Sequence, residues 1–171
     1  DPTATATPDA AGEAETKPRT DDPADHQPTI GARDKILRDP GTAQYTALVD
    51  GRERTFTVVI PDGMAEDAPL VLAFHGFSQT APRFLNLTRF DIEADEDGFV
   101  VILPDGIERS WNGGGCCGDA AREGIDDVAF ARAVVEAAVE DLGVDADRVV
   151  ATGYSNGGWI AHRIACEDPD L

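Results

Sequence analysis

Ser155 stands at the centre of Gly153-Tyr154-Ser155-Asn156-Gly157, with a glycine two places to either side. The β-branched run Val149-Val150-Ala151-Thr152 precedes it, and an apolar helical pattern follows from Asn156 to about Glu167. A strand that turns directly into a helix crowds its own backbone. The positions flanking the turn must be small, and Gly153 and Gly157 meet that demand. Such a turn lifts a serine hydroxyl clear of the sheet. It also places the hydroxyl at a helix N-terminus, where free N–H groups favour developing negative charge. The chemistry that suits this pattern is attack by Ser155 on a carbonyl carbon.

A site of that kind needs donors for the oxyanion. The backbone N–H of Asn156 is the first. The second is expected from the loop after the apolar run that ends at His75-Gly76-Phe77, where Gly76 permits close backbone approach and Phe77 supplies the N–H. The hydroxyl also needs a base within about 3 Å. The chain has three histidines. His26 lies in a polar N-terminal tail. His162 follows Ser155 by two helical turns, about 10 Å along the helix, and reads as a packing or surface residue. His75 approaches from the oxyanion side. In folds built on this turn the chain order is nucleophile, acid, histidine. The acid and the histidine are therefore expected after Leu171, with this chain as the front part of a longer catalytic domain.

The elements that must position these residues are legible as punctuated runs. Residues 43–61 read as two strands around Asp50-Gly51, a hairpin signal. Residues 69–76 and 98–106 are continuous apolar runs of strand length, as in buried parallel strands. Residues 83–97 carry helical spacing, with Phe84, Leu87, Phe90 and Ala94 on one side. Residues 125–142 form the longest helix, ended by Gly143. The alternation predicts an α/β fold with a mainly parallel sheet, entered through an N-terminal antiparallel hairpin and incomplete after the helix that follows Ser155. Residues 1–40 are expected to be a disordered acidic tail rich in Thr, Ala and Pro, with residues 41–171 as the folded portion.

Composition narrows the partners. A formal charge of -19 on 171 residues repels phosphate backbones and anionic lipid, so nucleic acid is excluded as a partner. No apolar run approaches the roughly 20 residues of a membrane helix. Asp126-Asp127 opens a helix and reads as capping. Gly113-Gly114-Gly115 has no following lysine and opens no helix, against a phosphate loop. It is expected to be a flexible rim of a cleft, with Trp111 as either a substrate-facing wall or a loop anchor. Cys116 and Cys117 have too few ligand partners for zinc. Their pairing with each other, with Cys166 or with a later cysteine stays open, and Cys166 is expected as a small buried residue.

The segments "VLAFHGFSQTAPRF", "FVVILPDG", "SWNGGGCCGDAAREGIDDVAFARAVV" and "DRVVATGYSNGGWIAHRIACEDPD" together resemble the polyhydroxybutyrate depolymerase and feruloyl esterase group of α/β-hydrolases, in particular its LpqC-like secreted esterases. The resemblance covers residues 43–171. It implies a secreted or cell-surface serine hydrolase of carboxylic esters, small or polymeric, using neither metal nor organic cofactor. Ser155 matches the nucleophile and His75-Gly76-Phe77 the oxyanion segment, while the acid and histidine of the family match nothing within the chain, which is expected to be inactive alone. Two other readings share the sequence: a serine peptidase of the same fold, and a non-catalytic, truncated hydrolase used as a binding module.

Overall fold

The computed structural model describes residues 30–171. The hairpin forms as the Asp-Gly signal predicts. Strand β2 (Gly41–Val49) pairs antiparallel with β3 (Arg52–Ile60), Val49 opposite Arg52. Asp50 and Gly51 both take positive φ, 50° and 72°, the conformation a two-residue hairpin turn requires. Strands β4 (Leu70–Phe74), β5 (Val100–Pro104) and β6 (Val149–Gly153) complete the sheet, with β1 (Ile30–Arg33) at the far edge. The order is β1-β2-β3-β5-β4-β6. β4 runs parallel to both β5 and β6, and β3 meets β5 antiparallel. The parallel half thus carries the strand ends that hold His75 and Ser155.

Alternation along the strands divides the core in two. Val58, Leu72, Phe74, Val100 and Ile102 face α4 (Asp127–Leu142) and α5 (Asn156–Glu167). Val59, Ala73, Val101 and Leu103 face the opposite side, under α1 (Ala81–Thr88) and α2 (Phe90–Asp97). A sheet covered on both faces needs near-continuous apolar strands, which is why these runs lack polar alternation. The helix expected over residues 83–97 is two helices. Arg89 breaks it with φ 58°, closing α1 by its N–H to the Leu85 carbonyl and opening α2.

The expected tail reaches too far. Residues 1–29 lie outside the described residues, and so does His26. Residues 30–40 belong to the fold: β1 pairs with β2, and Ile36 is buried in the larger core. Arg33 forms ion pairs with Asp141 and Glu140 at the end of α4. One buried aliphatic and a bridged arginine hold a segment whose composition alone reads as tail.

Candidate active site

Only Tyr154 and Ser155 separate β6 from α5. Ser155 takes φ 52° and ψ −116°, a conformation disfavoured for any residue with a side chain. The turn is held by hydrogen bonds from the Tyr154 N–H to the Phe74 carbonyl (3.1 Å) and from the Gly157 N–H to the Tyr154 carbonyl (2.9 Å). The flanking glycines are sterically required. A Cβ on Gly153 would overlap the backbone of Gly157, and one on Gly157 would overlap the carbonyls of Phe74 and His75. Ser155 itself is exposed.

The segment after β4 lies beside this turn, since a Cβ on Gly76 would come within 2.8 Å of the Tyr154 ring. The Gly76 N–H donates to Gln79 Oε1 (3.0 Å), and the Gly76 carbonyl accepts from the Gln79 N–H (3.0 Å). Among the described residues, the N–H groups of Phe77 and Asn156 have no hydrogen-bond acceptor.

His75 is fully buried, and both of its ring nitrogens are engaged. Nδ1 donates to the Gly76 carbonyl (2.9 Å), and Nε2 accepts the Gly106 N–H (3.0 Å). Burial pushes its pKa down, against the pull of the Gly76 carbonyl and Asp105. The ring is a neutral structural group with no lone pair turned toward Ser155. His162 is exposed on α5, two turns beyond the serine.

Trp111, expected as either cleft wall or anchor, is the anchor. It is 0 % exposed, its ring edge-on to Phe74 at 5.1 Å and tilted against His75 at 4.9 Å. Its indole N–H donates to the His75 carbonyl (2.9 Å), so the ring is drawn beneath the site and away from its rim. The aromatic wall is Trp159, 53 % exposed, which the sequence reading did not single out. Its spacing carried the signal: it follows Ser155 by four residues, one helical turn, and so shares its face. Gly113 and Gly115 are packed against it; a Cβ on Gly115 would come within 2.9 Å of the indole ring. These glycines let the loop lie close on Trp159. A cleft of about 810 Å³ opens here, lined by Ser155, Gly113, Gly114, Trp159, His162 and Arg163 among others. Arg163 donates to the Asn112 carbonyl (2.8 Å) and pairs with Glu167 (2.9 Å).

Two other expectations change. Asp126 caps α4 as expected, accepting the Ala129 N–H. Asp127 does more. It is buried, paired with Arg54 at 2.7 Å, and accepts the Asn112 N–H at 2.7 Å, holding the glycine loop to the helix start. Cys116 and Cys117 are bonded to each other, whereas Cys166 is a free thiol exposed on the last turn of α5, not a buried residue. On this exposed side of α5 its Sγ lies 3.6 Å from His162 Nδ1, one turn back along the helix.

The strand order, the helices on both faces and a serine at a strand–helix turn define the α/β-hydrolase fold. Residues 54–171 match the family described as Esterase PHB depolymerase, and the chain belongs to that family. It is 31 % identical over 124 residues to feruloyl esterase B of Piromyces equi, covering 69 % of this chain and 22 % of the relative. It is 29 % identical over 139 residues to feruloyl esterase C of Emericella nidulans, covering 74 % and 48 %. Among solved structures, the poly(3-hydroxybutyrate) depolymerase LpqC of Bordetella parapertussis shares the fold at TM-score 0.61 and 20 % identity, over 74 % of this chain and 47 % of that one. The chain spans less than half the length of each of these relatives.

Proposed function

We propose that the protein is a secreted serine esterase that cleaves carboxylic esters through an acyl-enzyme on Ser155. In this reading the Ser155 hydroxyl attacks the ester carbonyl and the oxyanion settles between the Phe77 and Asn156 N–H groups. The alcohol departs, and water then releases the acid. The observation that carries it is the left-handed, exposed Ser155 between a strand and a helix, beside two backbone amides without acceptors. Preorganised amides of this kind contribute about 10²–10³ in rate each. His75 does not serve as the proton acceptor in this reading, because both of its ring nitrogens are committed to backbone contacts. Esters of hydroxyalkanoates, or of feruloyl- and acetyl-substituted polysaccharides, are the substrate classes that the relatives' names suggest. Exposed Phe77, Tyr154 and Trp159 give such groups apolar surface near the serine.

The test is organophosphonate labelling of the protein translated from its complete reading frame. A stoichiometric adduct on the Ser155 peptide is expected. Ser155→Ala should abolish both adduct and ester turnover without changing the unfolding midpoint. A folded protein that takes no label overturns the reading.

A further inference from the structure

We propose that the Asn156 side chain and Trp111 form a buried clamp that fixes the two oxyanion donors relative to each other, making both positioning residues for the hydrolytic reaction. The proposal rests on the esterase reading above.

The connection can be followed atom by atom. Asn156 is fully buried at the start of α5. Its Oδ1 accepts the Trp111 N–H (2.8 Å) and its Nδ2 donates to the Trp111 carbonyl (3.0 Å). One side-chain amide thus grips one residue's backbone at both of its polar atoms. A buried amide gripped this way has little torsional freedom, and it shares a residue with the first donor, the Asn156 N–H. Trp111 extends the link through its indole N–H to the His75 carbonyl (2.9 Å), with its ring wedged against Phe74 and His75.

His75 completes the path. Its Nδ1–H and the Gln79 N–H both hold the Gly76 carbonyl oxygen, at 2.9 and 3.0 Å. That oxygen belongs to the same peptide plane as the Phe77 N–H. In a trans peptide the C=O and N–H point in opposite directions, so anchoring the oxygen on one side aims the N–H to the other. The first donor is therefore tied to the second through Asn156, Trp111 and His75 without a break. Trp111 lies 45 residues from Asn156 and 36 from His75, so no local turn geometry could replace the link.

The experiment uses Trp111→Phe, which keeps one aromatic ring but removes the pyrrole portion of the indole with its N–H, together with Asn156→Ala and the double variant. All are made in the protein from the complete reading frame. Each single variant is expected to lower kcat about tenfold or more with KM within about twofold, the pattern for an interaction expressed in the transition state. Affinity for a trifluoromethyl ketone, whose adduct carries an oxyanion, should fall in step with kcat/KM. Because the clamp is a series connection, the double variant should lose about as much as the worse single variant. Losses that multiply, that appear in KM alone, or that leave trifluoromethyl ketone affinity untouched overturn the clamp while the esterase reading stands. Trp111→Phe separates a positioning effect from a folding defect, since its unfolding midpoint is measured beside its kcat. A wild-type protein that takes no organophosphonate overturns the esterase reading and the clamp with it.

Discussion

Gly157 is seated directly on the carbonyl of Phe74, so close that its α-hydrogen occupies the space any side chain would need. This contact brings the first turn of α5 down onto the end of β4, and through it sets the height of Ser155 above the sheet. Gly157→Ala must push helix and strand apart. A loss of about 1–3 kcal/mol is expected from overpacking. Gly158→Ala is the milder comparison, because its Cβ would meet the Gly153 carbonyl oxygen at 3.3 Å, a tight contact without the overlap found at Gly157. It should change stability by less than about 1 kcal/mol, helped by the better helix propensity of alanine. Urea unfolding midpoints compare the two; equal losses would show that the close approach has no energetic consequence.

The neutral state of His75 makes stability depend on pH. Burial lowers its pKa, and the Gly106 N–H is donated to the lone pair that protonation would remove. In the unfolded chain a histidine titrates near 6.5. As pH falls below about 6.5 the unfolded state takes up a proton that the fold refuses, so stability drops until the folded ring titrates too. His75→Gln should flatten this slope, whatever its effect on absolute stability. Unfolding free energies at pH 7.5, 6.5 and 5.5 measure the slope in both proteins. A wild-type slope that survives in the variant assigns the proton to another group.

What the sequence made legible is local. The strand–helix turn at Ser155 reads directly because strand, glycines, serine and helix fall within a few consecutive residues. The hairpin reads because Asp50-Gly51 is a turn signal in itself. The features that local reading leaves open or misses have their causes far along the chain. Trp111 sits in a polar, glycine-rich loop that looks like a rim, yet its burial is fixed by partners 36 and 45 residues away. Residues 30–40 look like tail until Arg33 finds Asp141, 108 positions on. Arg89 interrupts a helical pattern whose apolar spacing runs on through it, so periodicity gives no sign of the break.

The Arg54–Asp127 pair is a liability as well as a brace. Both side chains are almost completely buried, and the guanidinium also lies 4.0 Å over the Phe130 ring. Burial pushes the Asp127 carboxyl up, opposed by Arg54 and the Asn112 N–H. Arg54→Met leaves that carboxylate unpaired and should cost about 3–5 kcal/mol at neutral pH. Since the folded pKa then lies further above the unfolded value, the folded state binds the extra proton, and the variant should regain stability as pH falls toward 5. Adding Asp127→Asn should recover part of the loss at pH 7. Urea titrations at both pH values decide it. A penalty independent of pH would locate the damage in packing and not in the stranded charge.

On the esterase reading, Trp159 is expected to meet the acyl group of the substrate, since it lines the cleft with Ser155. It stands one helical turn from Ser155 with half its surface free, backed by Gly113 and Gly115 and flanked by Arg163 in the cleft. An exposed indole on a rigid helix gives aromatic surface without ordering cost, and aromatic pairs are worth about 0.5–1.5 kcal/mol beyond area burial. In the protein from the complete reading frame, Trp159→Ala should raise KM about tenfold for an aromatic acyl ester. For an acetyl ester of the same alcohol the rise should stay below about threefold, because an acetyl group has no ring to stack. Neither kcat should fall greatly, since the hydrogen bonds that link Asn156, Trp111 and His75 do not pass through the Trp159 indole. Steady-state kinetics on the two esters measure the ratio. An equal rise for both would mean that Trp159 shapes the loop and does not touch the acyl group. A fall in kcat without change in KM would move its role to the turn that carries Ser155.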